Sequence, residues 1–154
     1  MRGGKGPDQG PGAARMRTSP PQLETGPRLN GVRVLVVDDT SYVLDVVTAI
    51  LEQDGATVSA VGTAAEALAT LQAERPDVLL SDLAMPGLGG YWLIGKIRAL
   101  PPELGGATPA AAFTAFAGPE HRASILRAGF QYHIEKPVGA RELVGVVAIL
   151  SFKE

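Results

Sequence analysis

Residues 32–53 read VRVLVVDDTSYVLDVVTAILEQ, and the hydrophobic pattern changes period inside that stretch. Up to residue 37 it is a short, β-branched apolar run, the composition of a buried strand. From Ser41 onward Val43, Leu44, Val46, Val47, Ile50 and Leu51 recur at helical spacing, with a Thr/Ser start and Gly55 past the end. A strand over 32–37 and an amphipathic helix over 41–53 are therefore predicted. The break between them falls on two carboxylates, Asp38 and Asp39.

Downstream the alternation repeats. Residues 57–61 (TVSAV) read as a short strand, Thr63 caps a helix over AAEALATLQAE, and Pro76 stops that helix before the apolar run 78–80. Beyond the Gly/Pro loop MPGLGG, a helix is predicted near 91–100, a strand near 109–114 and a helix near 119–128. A short strand near 131–134 and a helix near 140–152 complete the set. Five apolar strands alternating with five helices make an α/β protein with a parallel, doubly wound sheet, because parallel neighbours need helical crossovers on the sheet faces.

Upstream the composition is different. Residues 1–31 hold seven Gly and five Pro, no aromatic residue, and five basic side chains against two acidic ones. Such a segment buries too little apolar surface to offset its ordering entropy, so a disordered basic tail is predicted over 1–31 and a folded unit over 32–154. The folded unit carries nine basic and fourteen acidic residues, and the whole chain of 154 residues has a formal charge of −2. That balance is unlike a nucleic-acid binder or a polybasic membrane module. The absence of cysteine excludes thiolate nucleophiles, thiolate metal sites and disulfide scaffolds, and two histidines, His121 and His133, do not make a multi-histidine zinc site. The start of the chain lacks the apolar stretch of a signal peptide, and no segment approaches about 18 consecutive apolar residues, so a cytoplasmic location is expected.

In open parallel sheets, ligands bind beyond the carboxyl ends of the strands. Asp38 and Asp39 follow the first strand, Asp82 closes the third, Thr114 closes the fourth, and Lys136 and Pro137 follow the fifth. Three gathered carboxylates repel one another unless a cation offsets them, and hard oxygen ligands suit Mg²⁺. A carboxylate can also attack phosphorus to form an aspartyl phosphate, a transfer that depends on in-line positioning and on neutralising oxygen charge. Asp82 is the expected nucleophile, with Mg²⁺ held by Asp39, Asp82 and a loop carbonyl, and Lys136 and Thr114 contacting the phosphoryl oxygens.

The segments VLVVDD, LLSDLAMPGLGGYWLI, the FTAFA run with Thr114, and AGFQYHIEKP resemble, in order, the receiver domain of bacterial two-component response regulators. The resemblance spans essentially residues 32–152. It implies a flavodoxin-like (βα)5 fold with strand order 2-1-3-4-5, Asp82 as phosphoacceptor, and Asp38 and Asp39 as the acidic metal pair. It further implies the Ala84 carbonyl as a metal ligand, Thr114 and Lys136 as switch and phosphate-sensing residues, and a cis Lys136–Pro137 bond. The cofactor implied is Mg²⁺, and the partner is a histidine kinase or a histidine phosphotransfer protein that docks near the first helix, where Tyr42, Val46 and Ala49 lie. Activity is confined to the protein's own phosphorylation and dephosphorylation, so it is not expected to be an enzyme acting on other substrates. His133 falls at the position of the family's switch aromatic and resembles receivers attached to hybrid sensor kinases, whereas His121 is expected to be plain surface.

Two departures from the family pattern bear on the chemistry. Gly89 stands where relatives often carry an acid, which loosens a helix start without removing a phosphate ligand. Ala84 and Phe116, each two positions beyond Asp82 and Thr114, provide no polar side chain to orient water, so slow self-dephosphorylation is expected. Other classes fit less well. A haloacid-dehalogenase-type phosphatase needs a second acid at Ala84, and a flavodoxin-like FMN protein would place phosphate against the acids of DDTSY. The remaining alternative is a receiver-like docking module that never takes up phosphate. With no helix-turn-helix after the last helix, output through protein contacts rather than DNA is expected.

Overall fold

The computed structural model describes residues 28–115 and 118–152. Its strands are β1 (Arg33–Val37), β2 (Thr57–Val61), β3 (Val78–Asp82), β4 (Ala110–Thr114) and β5 (Tyr132–Glu135). Helices α1 (Ser41–Gln53), α2 (Ala64–Glu74), α3 (Gly90–Arg98), α4 (Pro119–Ala128) and α5 (Ala140–Ser151) alternate with them. The strands form one parallel sheet in the order β2-β1-β3-β4-β5, which is the expected flavodoxin-like arrangement.

The period-two pattern of the strands divides the core between the two faces. Val34 and Val36 of β1, with Leu80, Phe113 and Ile134, pack against Val47 and Leu51 of α1 and Leu143 and Val147 of α5. Leu35 and Val37, with Leu79, Ala110 and Ala112, pack against Ala67 and Leu71 of α2, Ile94 and Ile97 of α3 and Ile125 of α4. Every residue of β3 and β4 is buried, as continuous apolar runs in a central parallel strand require. Each fully buried Leu or Ile contributes on the order of 2 kcal/mol.

Local signals explain most element ends. Thr63 Oγ1 accepts the amide hydrogen of Glu66 at 3.1 Å, the cap anticipated for α2, and Glu66 Oε1 accepts from Gly62 N in return. Thr40, at the start of α1, makes no side-chain cap; its own amide donates to Asp38 Oδ1 at 2.9 Å instead. Helix α3 begins at Gly90 and ends at Arg98, and a single 3₁₀ turn at Pro102–Leu104 follows that the periodicity did not indicate.

The packed core reaches upstream of residue 32. Leu29 has no exposed surface and belongs to the core beside Val34, its amide donates to Asp54 O, and Arg28 N donates to Asp54 Oδ2. One buried leucine in a Gly/Pro-rich stretch leaves no periodic signature, so composition alone grouped it with the tail. The remainder of that predicted tail, residues 1–27, lies outside the described residues.

Candidate functional site

Strand register assembles the site. Val37 pairs with Ser81, so the next residues, Asp38 and Asp82, stand side by side at the carboxyl edge of the sheet. Asp82 pairs with Phe113, which puts Thr114 one step further along β4. Thr114 in turn pairs with Glu135, and Lys136 N donates to Thr114 O at 2.9 Å. The Lys136–Pro137 bond is cis, as expected.

Carboxylate oxygens of Asp38, Asp39 and Asp82 all lie within 4.8 Å of one another. Asp38 is fully buried and Asp82 is 5% exposed, whereas Asp39 faces solvent. The ammonium of Lys136 donates to Asp38 Oδ2 and to Asp82 Oδ1, both at 3.2 Å. Burial raises the Asp82 pKa above the ordinary carboxylate value and the charge of Asp38 adds to the rise, while Lys136 opposes it. Burial by itself would lower the Lys136 pKa; the hydrogen bonds and charges of Asp82 and Asp38 outweigh it, and the net shift is upward.

An open cleft of about 450 Å³ sits over these residues, lined by Asp39, Asp82, Ala84, Thr114 and Lys136. Asp38 lies beneath it. Three acids around one ammonium leave the cluster net negative, and an all-oxygen donor set this compact fits a small hard cation such as Mg²⁺. The same grouping sets a buried carboxylate next to an ammonium and a hydroxyl.

Two further side chains share the cleft. Tyr91, in the first turn of α3, and His121, in the first turn of α4, both line it. His121 corrects the expectation of plain surface: it is half-buried, and its Nε2 lies 3.1 Å from Thr114 Oγ1. The signal for both was their position at a helix start just beyond a strand end, but only the packing of α3 and α4 against the sheet brings them to the cleft. Ala84 is exposed at the cleft, while Phe116 lies outside the described residues. His133 is half-buried on β5 opposite Ala112 and does not line the cleft.

Gly90 sets the approach of α3. A Cβ there would stand 2.4 Å from Asp82 O and 2.9 Å from Leu83 Cα, so only glycine lets the helix start against the end of β3. At Gly89 a Cβ would meet Leu83 O at 2.8 Å, and α3 has no side-chain cap.

Beside Lys136 an apolar groove of about 230 Å³ opens between α1 and the segment after β5, lined by Tyr42, Val46, Val47, Pro137 and Val138. Tyr42 is 73% exposed and Ala49 is exposed, while Val46 is half-buried. Among the described residues, no helix is long and apolar enough to cross a membrane.

A sequence profile of the response regulator receiver domain matches residues 34–148. The 14.6 kDa protein of the sodA1 3′ region of Leptolyngbya boryana is 44% identical over 114 residues, which cover 74% of this chain and 86% of that protein. Sensor histidine kinase GacS of Pseudomonas protegens is 35% identical over 116 residues, 75% of this chain and 13% of the kinase. The structure of chemotaxis protein CheY4 of Vibrio cholerae superposes with a TM-score of 0.72 at 27% identity, covering 77% of this chain and 98% of that one.

Proposed function

The chain belongs to the response regulator receiver family, and from that premise we propose that it takes a phosphoryl group from a phosphohistidine donor onto Asp82. Receivers are modules of two-component signalling, and a related segment occurs within a sensor histidine kinase. The observation that carries the proposal is the Lys136 ammonium held 3.2 Å from Asp82 Oδ1, on a cleft that also contains the Thr114 hydroxyl. A carboxylate oxygen of Asp82 attacks phosphorus, and the P–N bond to the donor breaks. The bonding pair leaves with the imidazole nitrogen, which takes up a proton. Lys136 faces one phosphoryl oxygen and Thr114 donates to another, each aimed where negative charge gathers.

Asp38, Asp39, Asp82 and the Ala84 carbonyl would hold Mg²⁺. Bound there, the ion offsets the charge of the phosphoryl oxygens. Without turnover of any separate substrate, the protein works in the cytoplasm by switching or relaying through contacts with other proteins. The groove at Tyr42 and Val46, adjacent to Lys136, suits a donor that must bring its phosphohistidine to Asp82. Slow loss of phosphate is part of the same reading, since Ala84 offers no polar side chain at the cleft.

Intact-mass analysis after incubation with acetyl phosphate, with and without Mg²⁺, tests the proposal. One Mg²⁺-dependent phosphoryl addition, lost in Asp82→Ala, is expected. A folded protein that gains no mass would instead support the phosphate-independent docking module.

A further inference from the structure

Arg98 carries a charge that the cleft does not use. It closes α3, is half-buried, and among the described residues has no carboxylate partner. Its guanidinium donates to backbone carbonyls instead, from Nε and Nη2 to Gly129 O at 3.0 and 2.8 Å and from Nη1 to Gly106 O at 2.8 Å. A longer contact of 3.5 Å runs from Nη2 to Gln131 Oε1. Hydrogen bonds from an ionised donor are the stronger kind, and the planar fork lets one side chain hold two segments at once. Gly129 is the C-cap of α4, so the cation also sits at the negative end of that helix's dipole.

Gly129 is shaped for this contact. Its φ is +123°, and a Cβ there would stand 2.9 Å from Arg98 Cγ and 3.2 Å from Arg98 Nε, so both the backbone and the approach of the guanidinium require glycine. The rest of α4 is held lightly. Ile125 is its one buried residue, whereas α3 and α5 bury four each. Its first turn stands at the cleft, where His121 forms part of the wall.

We propose that α4 is hinged at Gly129: Arg98 fastens its C-terminal end to α3 and to the turn at Gly106, and the end that borders the cleft is the one that opens. Opening of the first turns breaks none of the Arg98 bonds, while opening of the last turn breaks those to Gly129. The two ends of one short helix therefore differ in local stability.

Amide hydrogen exchange of the full chain, read residue by residue by NMR and corrected for intrinsic rates, tests this. In the wild type, Leu126 to Gly129 should exchange about tenfold more slowly than Arg122 to Ser124. Loss of charge-assisted hydrogen bonds predicts that Arg98→Met speeds exchange at Leu126 to Gly129 by about tenfold or more and leaves Arg122 to Ser124 unchanged. Arg98→Lys keeps the charge without the fork and should follow Arg98→Met. The Nε–H of Arg98 in the wild type should exchange more slowly than that of exposed Arg122, and this measurement stands even where a variant fails to fold. Equal exchange along α4, equal acceleration at both of its ends in Arg98→Met, wild-type rates in Arg98→Lys, or an Arg98 Nε–H as labile as that of Arg122 would each overturn the proposal.

Discussion

The ammonium of Lys136 and the carboxylate of Asp82 stand 3.2 Å apart, although 54 positions separate them in the chain. The same ammonium reaches Asp38, so a single cation offsets two buried carboxylates. Removing either sign of charge therefore has opposite consequences for stability.

Lys136→Met leaves Asp38 and Asp82 facing each other without a counter-ion. The side chain is 27% exposed, so the cost should fall below the roughly 3–5 kcal/mol of a fully buried broken pair, at about 2 kcal/mol. Because the folded pKa of Lys136 is raised, its contribution is complete below the ordinary lysine value of about 10.4 and is lost as pH rises through the folded value. Urea melts at pH 7 check this, and equal midpoints for the two proteins would contradict it.

Asp82→Asn should stabilise. The folded pKa of Asp82 is raised by burial and by Asp38, so ionising it in the folded state costs free energy. That cost begins as pH rises past the unfolded value of about 3.9 and is complete above the folded one. The variant is expected to melt about 3 °C above wild type at pH 7 and level with it at pH 3, by calorimetry. A lower melting temperature at pH 7 would mean that the Lys136 attraction outweighs the repulsion.

Two glycines of α3 predict opposite outcomes. Gly90→Ala forces a Cβ against Asp82 O and should cost about 2 kcal/mol while displacing Asp82, which should reduce acetyl phosphate labelling. Gly95→Ala meets nothing within 4 Å and should add about 0.5–1 kcal/mol through helix propensity, with labelling unchanged. Chemical denaturation of both variants decides; a neutral Gly90→Ala would refute the close approach.

Leu29→Ala should cost about 3 kcal/mol, because the side chain is fully buried among Val34, Leu51 and their neighbours. A chain beginning at residue 32 should lose a similar amount. Thermal melts that match the full chain would return the boundary to residue 32.

Charged substitutions at Tyr42 and Ala49 should slow phosphoryl transfer from a phosphorylated histidine phosphotransfer protein at least tenfold, with little effect on stability, since both are exposed. Labelling by acetyl phosphate should be unchanged. Equal slowing by both routes would show that the substitutions act on the Asp82 site itself rather than on docking.

Helix and strand identities follow from local patterns, and for this chain those patterns were sufficient. The run VRVLVV and the spacing of Val43, Val47 and Leu51 specify β1 and α1 without reference to the rest of the molecule, and α1, α2 and α4 have the predicted bounds. The acids, the hydroxyl and the lysine at strand ends were visible for the same reason: each terminates an apolar run. The 3₁₀ turn and the packed Leu29 were not, because neither repeats with a period.

The sequence by itself determined the order of elements, the parallel sheet and which side chains crowd its carboxyl edge, since periodicity and crossover geometry leave few alternatives. Only the tertiary structure decided that Asp38 and Asp82 lie side by side and share Lys136, because register depends on how both sheet faces pack. It also decided that α4 begins close enough for His121 to reach Thr114. That contact depends on where α4 packs against the sheet, and long-range contacts such as that of Ile125 with the core set this rather than any pattern within the helix.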